Sequence, residues 1–351
     1  MMNNSMICGA ILAAIIVLSI TVIALCDMRI AIGAVIVVGA IAATVVTSHV
    51  SEDPKIGGGS QFSLFGPTRG RGRDAKLAMA RVRKFFNAAG SGFGPDGLAI
   101  IKSGPPSDEL ILTQLRDSWY KRNKVQNITP YADRGARRIY EIQWLLPSAE
   151  AVSQNLTYKY LDIGSSDGSI TAAVAKYLNI PKSRSDAVDL LPEDSMVNPD
   201  YTYHRTDGES LPFDDNSYNL ITMFMSAHHF ANVDKMFSEI QRVAKPGAVI
   251  ILREHGHASR SDKIYYNIMH AYYECVSGNE SSPKEFVDSY DAGTYAYYRT
   301  PKQWDTLISK YGFKNVYSGK PKKNNFDTVI LKFIAITPHQ QPASETASQI
   351  F

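Results

Sequence analysis

The hydrophobic pattern separates an apolar N-terminal region from a longer region in which apolar and polar positions alternate. Residues 6–26 carry no charged side chain, and a second uncharged run extends from Ile30 to about Thr47. Each run is about long enough to cross a bilayer as a helix. Since only residues 27–29 separate the two runs, we predict a transmembrane hairpin over residues 1–50.

Two other interpretations of this apolar region stay open. A signal peptide is one, but no Lys or Arg precedes the first run and a second run follows at once. A buried pair of soluble helices is the other, although nearly every position is apolar. Basic residues cluster after the second run, so the positive-inside rule predicts that the N-terminus and everything after the hairpin are cytosolic. These basic residues are Lys55, Arg69, Arg71, Arg73, Lys76, Arg81, Arg83 and Lys84.

A basic connecting segment, residues 51–104, follows the predicted hairpin. Its first part, residues 51–73, contains Gly-Gly-Gly-Ser and Arg-Gly-Arg-Gly-Arg, which are typical of a flexible tether. Residues 74–89 place apolar side chains among basic ones and predict an amphipathic helix. Three interpretations fit this segment: the helix lies on anionic headgroups, the helix packs on the following domain with its charges in water, or the Arg-Gly run contacts RNA phosphates.

Strand and helix patterns alternate over residues 105–336, which predicts an α/β domain. Residues 337–351 are polar, and we expect them to be disordered. The predicted helices are Asp108–Lys124, Asp133–Leu146, 169–178, Asn232–Ala244 and Thr300–Gly312. The predicted strands lie at 160–163, 186–191, 201–207, 248–254, 315–318 and 328–336, and the fourth in chain order follows an acidic loop within 209–225.

The first strand of this domain leads into a glycine loop and then a helix. The loop, residues 164–168, reads Gly-Ser-Ser-Asp-Gly, and apolar positions recur at helical spacing directly after it. Gly164 and Gly168 have no Cβ, so the backbone there can approach a ligand at the carboxyl edge of a parallel sheet. This turn is common in α/β proteins, and a purely structural role is an equally good interpretation of the loop alone.

Carboxylates at the ends of the next strands favour a nucleotide-like ligand. Asp189 lies near the end of the second predicted strand and Asp207 at the end of the third. A carboxylate at such a position can accept hydrogen bonds from ribose hydroxyls. An acidic loop then leads into the fourth predicted strand, which ends at Met225.

Taken in order, these motifs resemble those of the class I S-adenosylmethionine-dependent methyltransferases, in particular the ubiquinone/menaquinone-biosynthesis type. The resemblance covers roughly residues 130 to 336. It implies a Rossmann-like seven-stranded sheet with helices on both faces and an antiparallel last strand. A nicotinamide cofactor is the main alternative for this architecture. The motifs at residues 207–213 and 239–251 argue against it. The matching motifs are Leu161–Gly168, Asp189, Asp207–Phe213, Ser226–Phe230 and Glu239–Ile251.

The resemblance also implies roles for individual residues. Asp162 and Gly164 would lie under the methionine part of S-adenosylmethionine, and Asp189 would hold its ribose. The family usually has glycine where this chain has Ser166, so we expect slightly altered loop geometry. The full cofactor-binding set predicted is Asp162, Gly164, Ser166, Gly168, Asp189, Asp207, Gly208 and Met225, with Asp207 and Gly208 bracketing the adenine.

Two histidines follow the fourth strand, where the resemblance places the transferable methyl group. We predict that His228 and His229 orient or deprotonate the acceptor, since imidazole titrates near neutral pH. The alternative for either residue is a structural hydrogen bond at the strand end. We predict no metal site, because no spaced Cys or carboxylate set accompanies the pair. Upstream helices cover the cofactor pocket in the enzymes that the chain resembles, so Tyr131 and Arg134 are candidates to reach it, and packing and solvation are an equally good explanation of both.

An aromatic-rich insertion lies between the fifth strand and the helix that starts near Thr300. In the family that the chain resembles, this position usually builds the lid over the acceptor, and tyrosines there can stack on a planar ring. The alternative is that many of these rings are core. The rings are those of Tyr265, Tyr266, Tyr272, Tyr273, Phe286, Tyr290, Tyr295, Tyr297 and Tyr298.

These observations predict a membrane-anchored methyltransferase whose acceptor is a small or lipid-like planar molecule. RNA, including a cap structure, is the second acceptor class, because Glu254-His255 and the stretch from Tyr297 to Trp304 look like methyltransferases encoded by some large viruses. A non-catalytic membrane-tethered scaffold is the third alternative, supported only by Ser166. The net charge of +3 is too small to indicate RNA by itself, and the three cysteines provide no disulfide framework.

Overall fold

The structure is a computed structural model in which the described residues belong to one unit, Gly59–Phe351. The predicted hairpin (1–50) and the predicted tail (337–351) lie outside the described residues. No helix within the described part of the chain is both long and apolar enough to span a membrane. The described residues are 64–69, 71–87, 94–103, 107–122, 134–193, 200–277, 282–291, 296–321 and 328–336.

A seven-stranded sheet forms the centre of this unit, with the strand order β3-β2-β1-β4-β5-β7-β6. Strands β1 to β5 pair in parallel, and β7 is antiparallel to both β5 and β6. This confirms the predicted seven-stranded sheet with an antiparallel last strand. The strands are β1 (Tyr160–Ile163), β2 (Ser185–Asp189), β3 (Thr202–Arg205), β4 (Tyr218–Phe224), β5 (Ala244–His255), β6 (Phe313–Gly319) and β7 (Thr328–Ala335).

Helices cover both faces of the sheet, because the central strands are apolar on both sides. Ile170 and Val174 pack under one face with Leu220 and Ile251. Phe237, Trp304 and Ile308 pack under the other. The helices are α1 (Gly66–Arg69), α2 (Arg73–Phe86), α3 (Gly94–Ser103), α4 (Asp108–Arg122), α5 (Arg134–Ile142), α6 (Ala149–Gln154), α7 (Ser169–Tyr177), α8 (Val233–Val243), α9 (Arg260–Ala271), α10 (Pro283–Asp291) and α11 (Pro301–Ser309).

The helix after the aromatic insertion begins as its capping residues predict. The Thr300 side chain accepts a hydrogen bond from the Gln303 backbone N–H, and the Gln303 side chain accepts one from the Thr300 N–H. Pro301 occupies the first helical position, where its missing N–H costs nothing. The helix α11 ends at Ser309, slightly before the predicted exit at Gly312.

The basic helix α2 packs on the domain. Its apolar residues Ala78, Val82 and Phe86 are buried in one cluster with residues of α9. Arg81 forms an ion pair with Asp262 of α9. Of the interpretations that the sequence left open for this helix, packing on the domain is therefore the one found, because the insertion after β5 covers the apolar stripe that headgroups would otherwise contact.

Candidate functional site

The glycine loop between β1 and α7 is built from left-handed backbone. Gly164, Ser166 and Gly168 have φ angles of 73°, 52° and 70°. The Gly164 N–H donates to the carbonyl oxygen of Val188 in β2 at 2.9 Å. A Cβ added to Gly164 would lie 2.2 Å from the Cβ of Ser226, the second residue after β4. The loop therefore contacts the exits of both strands that flank β1.

Ser166 adopts the conformation that glycine favours in this loop. Its positive φ is uncommon for a residue with a side chain and costs about 1–2 kcal/mol. Arg134, at the start of α5, donates to the Ser166 Oγ at 3.2 Å and lies 3.6 Å from the Asp167 carboxylate. The predicted approach of Arg134 to the loop is thus confirmed, while Tyr131 lies outside the described residues. The loop keeps a left-handed turn at this position despite the substitution of serine for glycine.

Asp189 joins the glycine loop to the end of β2. One of its carboxylate oxygens accepts the Ser166 N–H at 2.7 Å, and the other accepts the Leu190 N–H at 2.7 Å. The side chain is half-buried. Since a carboxylate oxygen can accept more than one hydrogen bond, Asp189 keeps acceptor capacity on its accessible side. The structure therefore brings Asp189 and Ser166, which are far apart in the sequence, to one edge of the sheet.

Asp162 lies beneath the loop. Its two carboxylate oxygens accept hydrogen bonds from the hydroxyls of Thr171 and Thr222, both at 2.7 Å. Burial raises the pKa of this carboxyl to about 6, against the two hydroxyl donors, which lower it. The carboxyl group connects α7 and β4 to β1 and is 2% exposed. Asp162 therefore stabilises the glycine loop from below by holding α7 and β4 against β1.

Asp207 shapes the acidic loop that follows β3. One of its carboxylate oxygens accepts the backbone N–H groups of Glu209 and Ser210, both at 2.8 Å. These backbone hydrogen bonds lower the pKa of Asp207 to about 2. Gly208 has a φ of 79°. Arg242 of α8 holds the far side of the loop by donating to the carbonyl oxygens of residues 211 and 213.

The two histidines that the sequence predicts as catalytic differ in burial at the exit of β4. Met225 has a φ of 61°, and its N–H donates to the Arg253 carbonyl oxygen at 2.8 Å. The Ser226 hydroxyl donates to the Ile163 carbonyl oxygen at 2.8 Å. A short 3₁₀ turn, Ala227–His229, then turns His228 inward to 1% exposure and leaves His229 at the surface. His229 is therefore the member of the pair that solvent or an acceptor can reach.

His228 lies at the centre of a buried histidine cluster. Its Nδ1 is 2.7 Å from a carboxylate oxygen of Glu254, and its Nε2 is 3.0 Å from the Nε2 of His270. His255, at the end of β5, is close by, and nitrogens of His228, His255 and His270 all lie within 4.8 Å of one another. We call these three residues the histidine cluster. It joins the β4 exit, the end of β5 and helix α9.

Burial keeps the rings around this point uncharged at neutral pH. Desolvation lowers the pKa of His255 and of His270 well below the usual value, and the neighbouring histidines lower both further. Partial desolvation and the neighbouring His228 also lower the pKa of His229 well below its usual range, although the residue as a whole is exposed. The rings of His229, His255 and His270 are thus uncharged at neutral pH.

The aromatic insertion is mostly core. Phe286 and the tyrosines at 265, 266, 272, 290 and 298 are buried. Tyr273 and Tyr297 are partly exposed, and Tyr295 lies outside the described residues. Most of the named rings therefore follow the core alternative. Tyr297 is beside the site, because its N–H donates to the His228 carbonyl oxygen at 2.6 Å.

Sequence reasoning missed Glu254, His255 and His270 as members of the site. The available signal was the position of Glu254 and His255 at the end of a strand that pairs with β4 in a parallel sheet, since carboxyl ends of neighbouring parallel strands meet at one edge. For His270 there was no comparable signal, because it lies on a helix of the insertion. The prediction of no metal site considered only residues close in sequence to His228 and His229.

Comparison with known proteins shows similarity to methyltransferases. A family model described as a methyltransferase domain matches residues 161–252, from β1 to β5. The uncharacterized methyltransferase YcgJ of Bacillus subtilis is 26% identical over 168 residues, which cover 44% of this chain and 66% of that protein. The ubiquinone/menaquinone biosynthesis C-methyltransferase UbiE of Bartonella bacilliformis is 25% identical over 205 residues, or 52% of this chain and 73% of that protein.

Two further similarities were found. The tRNA N(3)-cytidine methyltransferase METTL2 of Mus musculus is 26% identical over 181 residues, which cover 48% of this chain and 43% of that protein. The crystal structure of YcgJ from Bacillus subtilis has a TM-score of 0.38 at 15% identity and covers 56% of this chain and 99% of that one. The sequence alignments thus span about two thirds or less of YcgJ and METTL2 and almost three quarters of UbiE.

The residues present fit the cofactor of this family. The glycine loop keeps its left-handed turns, and Asp189 retains acceptor capacity beside it. In the loop, the buried Ser165 hydroxyl has no hydrogen-bond partner among the described residues, so a bound ligand can satisfy it. Ser166, which supported the scaffold alternative, has the backbone conformation that the loop requires. The chain carries a methyltransferase domain over residues 161–252, and its similarity to YcgJ and UbiE supports a class I S-adenosylmethionine-dependent methyltransferase with S-adenosylmethionine as its cofactor.

Proposed function

We propose that the full chain transfers a methyl group from S-adenosylmethionine to a small or lipid-like planar acceptor that it meets at a membrane. The observation that carries this proposal is the contact between Gly164 of the cofactor loop and Ser226 at the start of the histidine turn. Because these residues touch, the cofactor loop and the exposed ring of His229 belong to one continuous site. A bound S-adenosylmethionine supplies an electrophilic methyl group there.

The protein's own part in this reaction is to align the acceptor and exclude water. His229 is exposed and neutral, so its ring can stack on a planar acceptor or hydrogen-bond to it. Tyr297 is partly exposed and attached to His228 through the backbone, which makes it a second surface for such a ring. The name of the UbiE relative, a C-methyltransferase of quinone biosynthesis, supports a planar acceptor of this kind.

RNA is the second candidate acceptor. The METTL2 relative is a tRNA methyltransferase by name, and its alignment covers 48% of this chain. Arg71, Arg73 and Lys76 precede or begin α2 and are exposed or partly exposed. A basic surface of this kind binds phosphates with a steep salt dependence.

Membrane attachment and a cytosolic catalytic domain are further parts of the proposal. They rest on the two uncharged runs, residues 6–26 and 30–47, and on the basic residues that follow them. The attachment matters for the acceptor, because a lipid-like molecule would reach the site from the bilayer rather than from solution.

Replacing Asp189 by alanine is expected to weaken cofactor binding by roughly 10-fold or more, since one charge-assisted hydrogen bond is worth about 1.5–3 kcal/mol. We propose that Asp189 binds the ribose of the cofactor while it holds the Ser166 N–H. Isothermal titration of S-adenosylhomocysteine into the full-length protein measures the affinity. Asp186→Ala in the same strand β2 is the matched control, and equal affinity of Asp189→Ala and wild-type protein would contradict the assignment.

An assay of methyl transfer distinguishes the two acceptor classes. Full-length protein is incubated with methyl-labelled S-adenosylmethionine and either a membrane lipid extract or total RNA. We expect label in the organic phase, and we expect His229→Ala to lower that transfer roughly 10-fold or more by loss of alignment without changing the affinity for S-adenosylhomocysteine. His257→Ala removes an exposed histidine and serves as the control. Label in precipitated RNA that disappears with rising salt would support the RNA alternative instead.

A further inference from the structure

We propose that the histidine cluster, His228, His255 and His270, is a binding site for a divalent transition-metal cation such as zinc. The cluster lies beside the proposed methyl-transfer site. The inference does not depend on the acceptor or on the methyl-transfer activity, because it concerns only the three imidazoles and the groups that orient them.

The orientation of His228 directs its free nitrogen into the cluster. Its Nδ1 is 2.7 Å from the Glu254 carboxylate, so Nδ1 carries a proton and donates it. In the neutral ring Nε2 then carries a lone pair. Glu254 is itself fixed, because its two oxygens accept the backbone N–H groups of His228 and His255, both at 3.2 Å.

The orientation of His270 directs its Nε2 to the same point. Its Nδ1 lies 2.9 Å from the carbonyl oxygen of Tyr266. A carbonyl oxygen only accepts, so this Nδ1 also carries the proton. The Tyr298 hydroxyl, 2.9 Å from the same Nδ1, donates to Asn267 and is therefore free to accept. The Nε2 of His270 consequently has a lone pair that faces the lone pair of His228 at 3.0 Å.

Two facing lone pairs at this distance require either a proton or a cation between or beside them. The third ring favours a cation. His255 is 7% exposed, and its Nε2 is buried without a hydrogen-bond partner among the residues described. An unpaired buried polar atom costs about 1–3 kcal/mol. A proton shared by His228 and His270 leaves His255 unpaired, whereas a metal ion satisfies all three rings at once.

The dimensions and the surroundings suit a small borderline cation. Zinc–nitrogen bonds of about 2.0–2.1 Å place two ligand nitrogens about 3.3 Å apart in a tetrahedron. The nitrogens here lie 3.0 Å apart for one pair and within 4.8 Å for the set, so ligation requires the widest pair to close by at most about 1.5 Å. Carboxylate and carbonyl acceptors behind metal-ligating histidines are the usual orienting groups. Glu254 and the Tyr266 carbonyl occupy those positions.

A three-histidine set leaves room for a fourth ligand, as in catalytic rather than structural zinc sites. His229 lies beside the cluster, with its ring 4.1 Å from that of His228 and 5.2 Å from that of His270, centroid to centroid. His229 is exposed, so the fourth position is expected on its side. Water or an oxygen atom of a ligand would occupy it.

The test uses full-length protein that is purified without a polyhistidine tag and stripped with a chelator. Zinc is titrated calorimetrically, and Co²⁺ is titrated as a spectroscopic probe. We expect one equivalent to bind with micromolar or tighter affinity, and Co²⁺ to give visible absorption typical of tetrahedral nitrogen coordination. His255→Ala is expected to lower the affinity at least 100-fold, and Glu254→Gln, which keeps the side-chain shape, 10- to 100-fold.

Controls separate a built site from binding at the surface or loss of the fold. His257→Ala is expected to bind zinc as the wild-type protein does, and S-adenosylhomocysteine affinity reports whether each variant is folded. Absence of zinc and Co²⁺ binding by folded wild-type protein would overturn the proposal in favour of a shared proton. Binding that His255→Ala leaves unchanged, or that His257→Ala removes, would overturn it in favour of adventitious surface binding.

Discussion

Gly164→Ala is expected to abolish measurable cofactor binding and to lower the free energy of unfolding by about 2–5 kcal/mol. Gly164 has a φ of +73°, and an alanine methyl group there would lie 2.2 Å from the Cβ and 2.7 Å from the Oγ of Ser226. The left-handed backbone accounts for about 1–2 kcal/mol. The overlap has to be relieved by moving the loop away from β4, which adds about 1–3 kcal/mol and displaces the cofactor-binding turn.

Gly247→Ala is the matched control for this prediction. Gly247 has a φ of +77°, but a Cβ there would meet nothing within 4 Å, so only the backbone contribution remains. Urea unfolding of both variants, with titration of S-adenosylhomocysteine, separates the two contributions. Adding Ser226→Gly to Gly164→Ala should restore part of the stability and of the affinity. If both alanine variants lose the same stability and neither loses affinity, the contact with Ser226 does not position the loop.

The central fold was predictable because its signals are local. Apolar runs mark β1, β4 and β5. Gly164, directly after β1, and Asp189, at the end of β2, mark the ligand edge of a parallel sheet. Helix α11 was predictable from Thr300 and Pro301 alone, because a capping residue and a first-turn proline act within a few residues of themselves. These features depend on the neighbouring sequence and little on the rest of the fold.

The histidine cluster was not predictable because its geometry depends on three elements. His228 could be singled out from its place after β4. His255 reaches it only because β5 pairs with β4, and His270 only because α9 packs back over the sheet edge. The packing of the insertion also decided the roles of its tyrosines. Rings such as Tyr265 and Tyr272 pack against Arg81 and Phe85 of α2, and a pattern of aromatic residues cannot distinguish this packing from a ligand-binding surface.

The contribution of Asp162 to the free energy of unfolding is expected to rise as the pH falls from 7.5 to 4.5. The pKa of its carboxyl is about 6 in the folded protein, against a usual value of 3.8. The folded state therefore takes up a proton at a higher pH than the unfolded state, and stability rises as the pH falls through this window. The gain in the free energy of unfolding is about 3 kcal/mol once the pH lies below both pKa values. About 2 kcal/mol of it develops between pH 7.5 and 4.5. Arg134 opposes the shift and Asp189 adds to it, but desolvation is the largest cause.

Asp162→Asn isolates this contribution, because an amide does not titrate and can still pair with the hydroxyls of Thr171 and Thr222. We expect the stability of the wild-type protein relative to Asp162→Asn, measured by urea unfolding at several pH values, to rise by about 2 kcal/mol from pH 7.5 to 4.5. Asp207→Asn should keep the wild-type slope, because the pKa of Asp207 is about 2 and lies below the window. Parallel pH curves for wild-type protein and Asp162→Asn would mean that the Asp162 carboxylate stays ionised in the folded state. The two threonine hydroxyls would then compensate fully for its burial, and the support beneath the cofactor loop would be an ionic one.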